Sequence, residues 1–147
     1  EQVFGNVFVA PVGAVISGAG GEWETVTLNP INVGSAKLAS EVAGQEKTQN
    51  VIVVGGPCVN EAAAVVMGLT YPACGADSTI PENKAIVKLY ENGGNVAMVV
   101  AGWTAADTRR ATAVVAKYTD YSDKLTGSEV VVSGTSMSDI TVSAPSS

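Results

Sequence analysis

The amino-acid sequence predicts an α/β fold: a three-layer, sandwich-like domain with a mixed sheet and extra β-strands flanking it at both termini. The first observation is that residues 50–68 and 95–112 follow the same order, with an apolar run, a glycine-marked turn and an alanine-rich segment. A strand that is apolar at successive positions is usually buried on both faces by covering helices. We therefore expect residues 50–54 and 96–101 to be two central strands, each followed by a helix.

The second observation is a predicted β-hairpin. Residues 85–90 and 96–101 are apolar runs that flank the turn sequence Glu-Asn-Gly-Gly-Asn. Glycine and asparagine tolerate the positive φ angles that tight hairpin turns need. One central strand is thus paired antiparallel, and the sheet is predicted to be mixed.

The amino-terminal part of the chain is predicted to be β-structure. Residues 2–16 are apolar and rich in β-branched side chains, but glycines and Pro11 interrupt them, which is typical of one or two edge strands. Residues 22–28 alternate Thr and Val and predict a further strand. We treat residues 1–28 as an amino-terminal strand segment.

Three helices are predicted in the central part, residues 29–127. The first covers residues 33–42, with Asn32 as its cap and one buried stripe. The second is capped by Asn60, covers residues 62–67 and ends at Gly68, which suits a left-handed position after a helix. The third, over residues 104–118, opens with a capping-box pattern of Thr and Asp and carries an i, i+3, i+4, i+7 apolar face.

Residues 128–147 are predicted to hold the last strands. Residues 119–127 are polar, residues 129–133 form a strand, residues 140–143 are a candidate second strand, and a Ser-containing tail follows.

The charge balance limits the partners of this chain. Fourteen acidic and eight basic residues give a formal net charge of −6, and the only basic cluster is Arg109 with Arg110. Nucleic-acid binding is therefore not expected. No apolar run approaches the ~20 residues of a membrane-spanning helix. The chain begins at Glu1, which we interpret as a mature or trimmed product.

Two cysteines, Cys58 and Cys74, are separated by a segment with glycines and proline. In a low-charge, Ser/Thr/Gly-rich chain this fits a secreted protein with one disulfide, and we predict that they are joined. The alternative is a pair of free thiols in a cytosolic protein. A tetrahedral metal site is disfavoured by the lack of histidine and of a Cys-x-x-Cys pair.

Candidate sites have ordinary structural explanations. The turn at Gly55, Gly56 and Pro57 lies where an α/β protein would hold a phosphate, but it has neither phosphate-binding motif, and Pro57 removes one backbone amide. The chain has no histidine, so the usual Ser and Cys catalytic triads are excluded. The acidic residues are scattered along the sequence, which indicates that they are solvated or cap helices. Asp120 and Asp123 form a candidate Ca²⁺ site, with ordinary turn residues as the alternative.

Several segments together resemble a domain of archaeal surface-layer (S-layer) proteins. Two motifs carry the resemblance. One is the strand sequence Ile-Val-Val-Gly-Gly-Pro at residues 52–57, and the other is the strand-to-helix turn Val-Ala-Gly-Trp-Thr-Ala-Ala-Asp-Thr-Arg-Arg-Ala at residues 100–111. Residues 28–42 and 84–90 contribute as well. The resemblance covers roughly residues 26–127. It implies a secreted, self-assembling cell-envelope protein without enzymatic activity, and no catalytic, cofactor or metal residues are carried over. S-layer proteins are usually several times longer than this chain.

Structural self-assembly into an S-layer lattice or a surface filament is thus the predicted function, in an extracellular setting with the chain itself as partner. A cell-surface glycan- or ligand-binding module is the alternative, and an enzyme is a third class. Strands at both ends of the chain would leave unpaired edges, which are templates for a neighbour's strand. The predicted assembly residues are Val3, Phe4, Val7, Phe8, Val9, Val130, Val131 and Val132.

Overall fold

The structure, a computed structural model, describes residues 36–145. These residues form one mixed sheet whose five strands lie in the order β1-β3-β2-β4-β5. The strands are β1 (Val51–Val54), β2 (Ala85–Asn92), β3 (Asn95–Gly102), β4 (Glu129–Ser133) and β5 (Thr141–Ser143). β1 runs parallel to β3, and the other three neighbouring pairs are antiparallel. The predicted hairpin and the predicted mixed sheet are confirmed.

Helices cover both faces of this sheet, which gives the predicted three layers. They are α1 (Ala39–Val42), α2 (Glu61–Met67) and α3 (Ala105–Ala116), with short 3₁₀ segments at Gly75–Ser78 and Tyr118–Tyr121. On the face that we call the α2 face, Val53, Val99 and Ile86 pack against α2. On the α3 face, Val87, Val100 and Val132 pack with α3 residues such as Val114. Successive residues of one strand thus serve two separate cores.

The second and third helices begin and end for the predicted reasons. The side chain of Asn60 accepts a hydrogen bond from the Ala63 amide, and Gly68 ends α2 in the left-handed region at φ 70°. At α3 the Thr104 amide donates to the Asp107 carboxylate at 2.9 Å, while the Asp107 amide donates back to the Thr104 hydroxyl at 3.2 Å. This reciprocal pair is the predicted capping box.

The first helix is shorter than predicted. Residues 36–38 are not helical, and α1 covers only Ala39–Val42. Glu41 accepts a hydrogen bond from the Leu38 amide at 2.7 Å, so the capping occurs inside the predicted helix and starts it late. Residues 33–35 and the predicted cap Asn32 lie outside the described residues, as do the predicted strands in residues 2–28 and the last two residues.

The expectation that residues 50–54 are buried on both faces is wrong within the described part of the chain. β1 lies at one end of the sheet, and its side chains on the α3 face, Ile52 and Val54, are 65% and 50% exposed. The physical reason is the position of α3, which packs mainly over β3, β2 and β4. Only Val53, which points to the α2 face, is buried.

Candidate assembly surface

The two end strands of the described sheet differ in how their edges are protected. β5 has three residues, and its outward side chains, Thr141 and Ser143, are polar. Short, polar edge strands are a common protection against pairing with another chain. β1 instead exposes Ile52 and Val54. Among residues 36–145, β1 is thus the edge that lacks this protection.

The exposed side chains of β1 continue onto the neighbouring strands. Ile52 is paired with Met98 of β3, and Leu89 of β2 is paired with the same Met98, so these side chains share the α3 face. Val96 lies two residues before Met98 and is on that face too. Leu89 and Val96 are each almost half exposed. We call Ile52, Val54, Leu89 and Val96 the apolar strip.

The apolar strip continues into an open cleft beside the carboxyl-terminal end of α3. The cleft has a volume of about 340 Å³. Its apolar lining consists of Val87, Leu89, Met98, Val115, Tyr118, Leu125 and Val130. Ligand sites usually combine such a lining with a few convergent polar groups. The lining of this cleft is mostly apolar, so we interpret the cleft as an extension of the apolar strip and not as a site for a polar ligand.

On the α2 face, opposite the apolar strip, β2 carries polar side chains. The Lys88 ammonium lies 2.6 Å from the Glu129 carboxylate on β4, and this hydrogen bond raises the pKa of Lys88. The ammonium also lies 5.4 Å from the ring centre of Tyr90. Partial burial raises the pKa of Tyr90. Charged groups therefore occupy one side of the sheet, while the apolar strip occupies the other.

The turn between β1 and α2 is occupied by structural contacts. The Gly55 amide donates to the Val100 carbonyl of β3 at 3.0 Å, and Pro57 is buried. The Pro57 carbonyl accepts from the Ala73 amide at 3.1 Å, next to the Cys58–Cys74 disulfide. The predicted disulfide is thus present, with its Cα atoms 4.5 Å apart. It fixes the following loop against this turn.

Asp107, the first residue of the Asp-Thr-Arg sequence, has a structural role inside the fold. Asp107 is 3% exposed and forms an ion pair with Arg110, which is also buried. Its second oxygen accepts the capping hydrogen bonds from Thr104. Arg109, by contrast, is exposed. Of the two adjacent arginines, Arg110 is thus the one that contacts Asp107.

The remaining acids do not converge. Asp120 and Asp123, the candidate Ca²⁺ ligands, are both exposed around the Tyr118–Tyr121 segment. Across residues 36–145 no three metal-ligating side chains come together. Asp139 is held by its own loop between β4 and β5: the Thr135 hydroxyl donates to it at 2.6 Å and the Ser136 amide at 2.6 Å. These hydrogen bonds lower the pKa of Asp139 well below its ordinary value.

The predicted assembly residues are placed in two ways. Val3, Phe4, Val7, Phe8 and Val9 lie outside the described residues. The other three, Val130, Val131 and Val132, are buried in β4, which is paired with β2 on one side and with β5 on the other. Their predicted role in assembly depends on an open edge at β4. This edge is closed, because β5 folds back onto β4.

Sequence reasoning missed the apolar strip. The run Val-Ile-Val-Val in residues 51–54 has no alternation that would mark one face as exposed. Which face a helix covers depends on where α3 packs after its turn, and this is a tertiary property. The exposed positions Leu89 and Val96 likewise lie in strands whose sequences fit buried positions.

The described part is a mixed-sheet α/β domain in which Asp107, Glu129 and Asp139 serve capping, pairing and loop structure. Its apolar strip runs from the end strand β1 to β2. None of its helices is long and apolar enough to span a bilayer.

The comparison with protein-family models identifies the family. Residues 16–119, more than half of the chain, match the S-layer like family, outer domain. The chain therefore belongs to the S-layer like family, in agreement with the resemblance found in its sequence. Membership places it among structural proteins of the cell surface. No curated protein and no solved structure matches the chain significantly.

Proposed function

We propose that this chain is a structural, non-enzymatic protein of the cell surface that self-assembles into an S-layer lattice or a surface filament. The observation that carries the proposal is the β1 end of the sheet formed by residues 36–145, where an edge strand and the apolar strip are exposed together. Exposed edges and apolar patches of this kind are surfaces on which proteins associate. Family membership supports the same proposal.

The proposed lack of catalysis rests on the use of the ionisable groups. The chain has no histidine, which removes the most common general base. Asp107 is paired with Arg110 inside the fold, Glu129 is paired with Lys88, and Asp139 is bound by its own loop. Each of these carboxylates stabilises local structure, and a catalytic site needs several such groups directed at one reacting atom.

The amino-terminal residues Val3, Phe4, Val7, Phe8 and Val9 supply one side of the assembly contact in this proposal. Residues 2–16 contain no charged side chain. Copies of a chain with a net charge of −6 repel one another, so they associate best through uncharged surfaces. Both the amino-terminal segment and the apolar strip meet this requirement.

Electron microscopy and sedimentation of the purified full chain test the proposal. The expected result is ordered sheets or filaments above a threshold concentration, with the threshold falling as salt screens the repulsion between subunits. A monomer at all concentrations and salt conditions would overturn it. The same preparation applied to a glycan array tests the alternative: specific glycan binding by a monomer would make the chain a binding module.

Deleting residues 1–10 tests the role of the amino-terminal segment. The expected result is a folded chain, with the circular dichroism spectrum and thermal transition retained, that no longer forms ordered assemblies. Unchanged assembly, or loss of the folded state, would contradict a contact in which this segment is exchanged between subunits.

A further inference from the structure

The outer edge of β1 has backbone groups suitable for one more strand. The Gly55 amide is directed at β3, where it donates to the Val100 carbonyl at 3.0 Å. Because peptide groups alternate along a strand, the amides of Ile52 and Val54 and the carbonyl of Ile52 are directed away from β3. Within the described residues β1 is paired only with β3. These groups therefore form an open strand edge.

One end of this edge is already closed. The side-chain amide of Asn60 donates to the Val54 carbonyl at 3.0 Å, on the side facing away from β3. A strand added to β1 thus pairs from the Val54 amide back towards Asn50 and does not extend past Val54. The open length is about four residues, or ~13 Å. So short a ladder contributes little by itself, and side-chain contacts with the apolar strip are needed for a stable contact.

Residues 3–9 have the sequence properties that this edge requires. They read Val-Phe-Gly-Asn-Val-Phe-Val, without charge, and Pro11 follows shortly after, where a ladder hydrogen bond cannot be donated. In an extended strand Phe4 and Phe8 lie on one face. Phe4 and Phe8 are four residues apart, whereas Ile52 and Val54 are two apart, so one of the two phenylalanines lies directly beside Ile52 in a given register. Aromatic side chains pair favourably with β-branched ones across strands.

The length of chain before the described residues allows such a strand to come from another subunit. The described part begins at Ala36, and α1, close to it in sequence, packs on the α2 face with Val42 against that core. Residues 10–35 lie between the proposed strand and this point, and they can span up to roughly 80 Å when extended. A neighbouring copy is therefore within reach.

We propose that the outer edge of β1, together with the apolar strip, accepts residues 3–9 of a neighbouring copy as an additional strand. Phe4 or Phe8 then packs beside Ile52, and a head-to-tail contact repeats from subunit to subunit. This inference rests on the proposed function and adds to it the acceptor surface and the identity of the inserted segment.

Amide hydrogen exchange of the full chain, resolved by residue, tests the acceptor edge. The Ile52 and Val54 amides should exchange rapidly in dispersed protein and become at least about a hundredfold slower in assemblies. The Val100 amide, at the centre of the sheet, should be protected in both states. Assemblies in which Ile52 and Val54 still exchange rapidly would overturn the inference and leave self-assembly standing.

A lysine at the strip tests the side-chain contact. Ile52→Lys should raise the threshold concentration for assembly by about tenfold or more, because the contact would bury an unpaired ammonium. Met137→Lys is the matched control, since Met137 is 60% exposed and lies in the loop between β4 and β5, at the other end of the described sheet. Its threshold should stay within about twofold of that of the unchanged chain. Equal thresholds for both variants would overturn the inference.

Cysteine pairing between two different chains tests the source of the inserted strand. Chains with Ile52→Cys, mixed with chains carrying Phe4→Cys or Phe8→Cys, should form a disulfide-linked heterodimer under mild oxidation, with the Cys58–Cys74 disulfide left intact. If the two positions react only within one chain carrying both changes, the segment docks on its own subunit and the inference is wrong. Failure of the unchanged chain to assemble at all would instead overturn the proposed function.

Discussion

The side-chain amide of Asn92 donates a 2.5 Å hydrogen bond to the backbone carbonyl of Glu46, a residue 46 positions earlier in the chain. Asn92 is 1% exposed and ends β2, while Glu46 lies in the connector that leads into β1. The Val96 amide similarly donates to the Asn50 side chain at 2.8 Å. The hairpin thereby fixes the point at which β1 enters the sheet.

Replacing Asn92 by Ala should lower the free energy of unfolding by about 2 kcal/mol, because it leaves a buried carbonyl without its donor. Asn95→Ala is the matched control: its side chain donates to the Lys47 carbonyl at 3.0 Å from an exposed position, where water can replace it. That variant should lose less than about 1 kcal/mol. Urea denaturation measures both, and equal losses would contradict the role assigned to Asn92.

Replacing either of the two adjacent arginines, Arg109 or Arg110, should have very different effects on stability. Arg110→Ala leaves the Asp107 carboxylate, whose side chain is 4% exposed, buried without its cation, and should cost about 3–5 kcal/mol. Arg109→Ala removes an exposed side chain and should change stability by no more than about 0.5 kcal/mol. Thermal and denaturant unfolding provide the comparison. A small effect of Arg110→Ala would show that the buried pair does not stabilise the start of α3.

Gly102 lies where β3 turns into α3, and it leaves no room for a side chain. A Cβ atom there would lie 2.5 Å from the Asp107 Cβ and 2.6 Å from its carbonyl carbon. Gly102→Ala should therefore destabilise the protein by about 3 kcal/mol or more through overpacking.

Gly56→Ala is the control for this prediction. Its Cβ would meet the Gly102 carbonyl oxygen at an ordinary 3.5 Å. The change should cost less than about 1 kcal/mol. Differential scanning calorimetry of the two variants measures both losses of stability. A Gly102→Ala variant that loses no more than Gly56→Ala would contradict the prediction and show that the turn between β3 and α3 can widen.

Removal of the disulfide should lower stability through the unfolded state. Cys58 and Cys74 are 16 positions apart, and closing a loop of this size contributes about 3 kcal/mol in the chain-entropy model. The double variant Cys58→Ala, Cys74→Ala should show this loss in urea, and intact mass with and without reductant before alkylation should show two protected thiols in the native chain. Two thiols that react without reductant would contradict the pairing.

Asp139 should make stability depend on pH in the acid range. Its pKa is lowered in the folded chain by hydrogen bonds from Thr135 and Ser136, so folding favours the charged carboxylate. The stabilisation is fully present above the ordinary aspartate pKa of about 4 and is lost as the pH falls through the lowered folded value. The stability difference between the chain and Asp139→Asn should be constant near neutral pH and shrink below about pH 4. A difference that grows on acidification would contradict this sign.

Local sequence patterns were sufficient for much of the fold. The turn sequence of residues 91–95 predicted the β2–β3 hairpin, and Asn60 with Gly68 predicted the bounds of α2. The pattern of Thr104 and Asp107 predicted the start of α3. Each of these features depends on residues a few positions apart, whose side chains satisfy backbone groups in their own neighbourhood. The disulfide was predicted because two cysteines occur in a low-charge chain rich in Ser, Thr and Gly, a composition typical of secreted proteins.

The candidate surface needed the tertiary structure. Ile52 and Val53 are both apolar and adjacent, yet one is 65% exposed and the other is buried. The reason is that α2 covers one face of β1, whereas α3 packs mainly over β3, β2 and β4. The sequence of Val130, Val131 and Val132 predicts an open edge, but the return of β5 places them inside the sheet. The sequence by itself determined which segments are strands and helices, since propensity and capping act locally. Only the packing of distant elements decided which apolar faces are covered and which remain exposed for a partner.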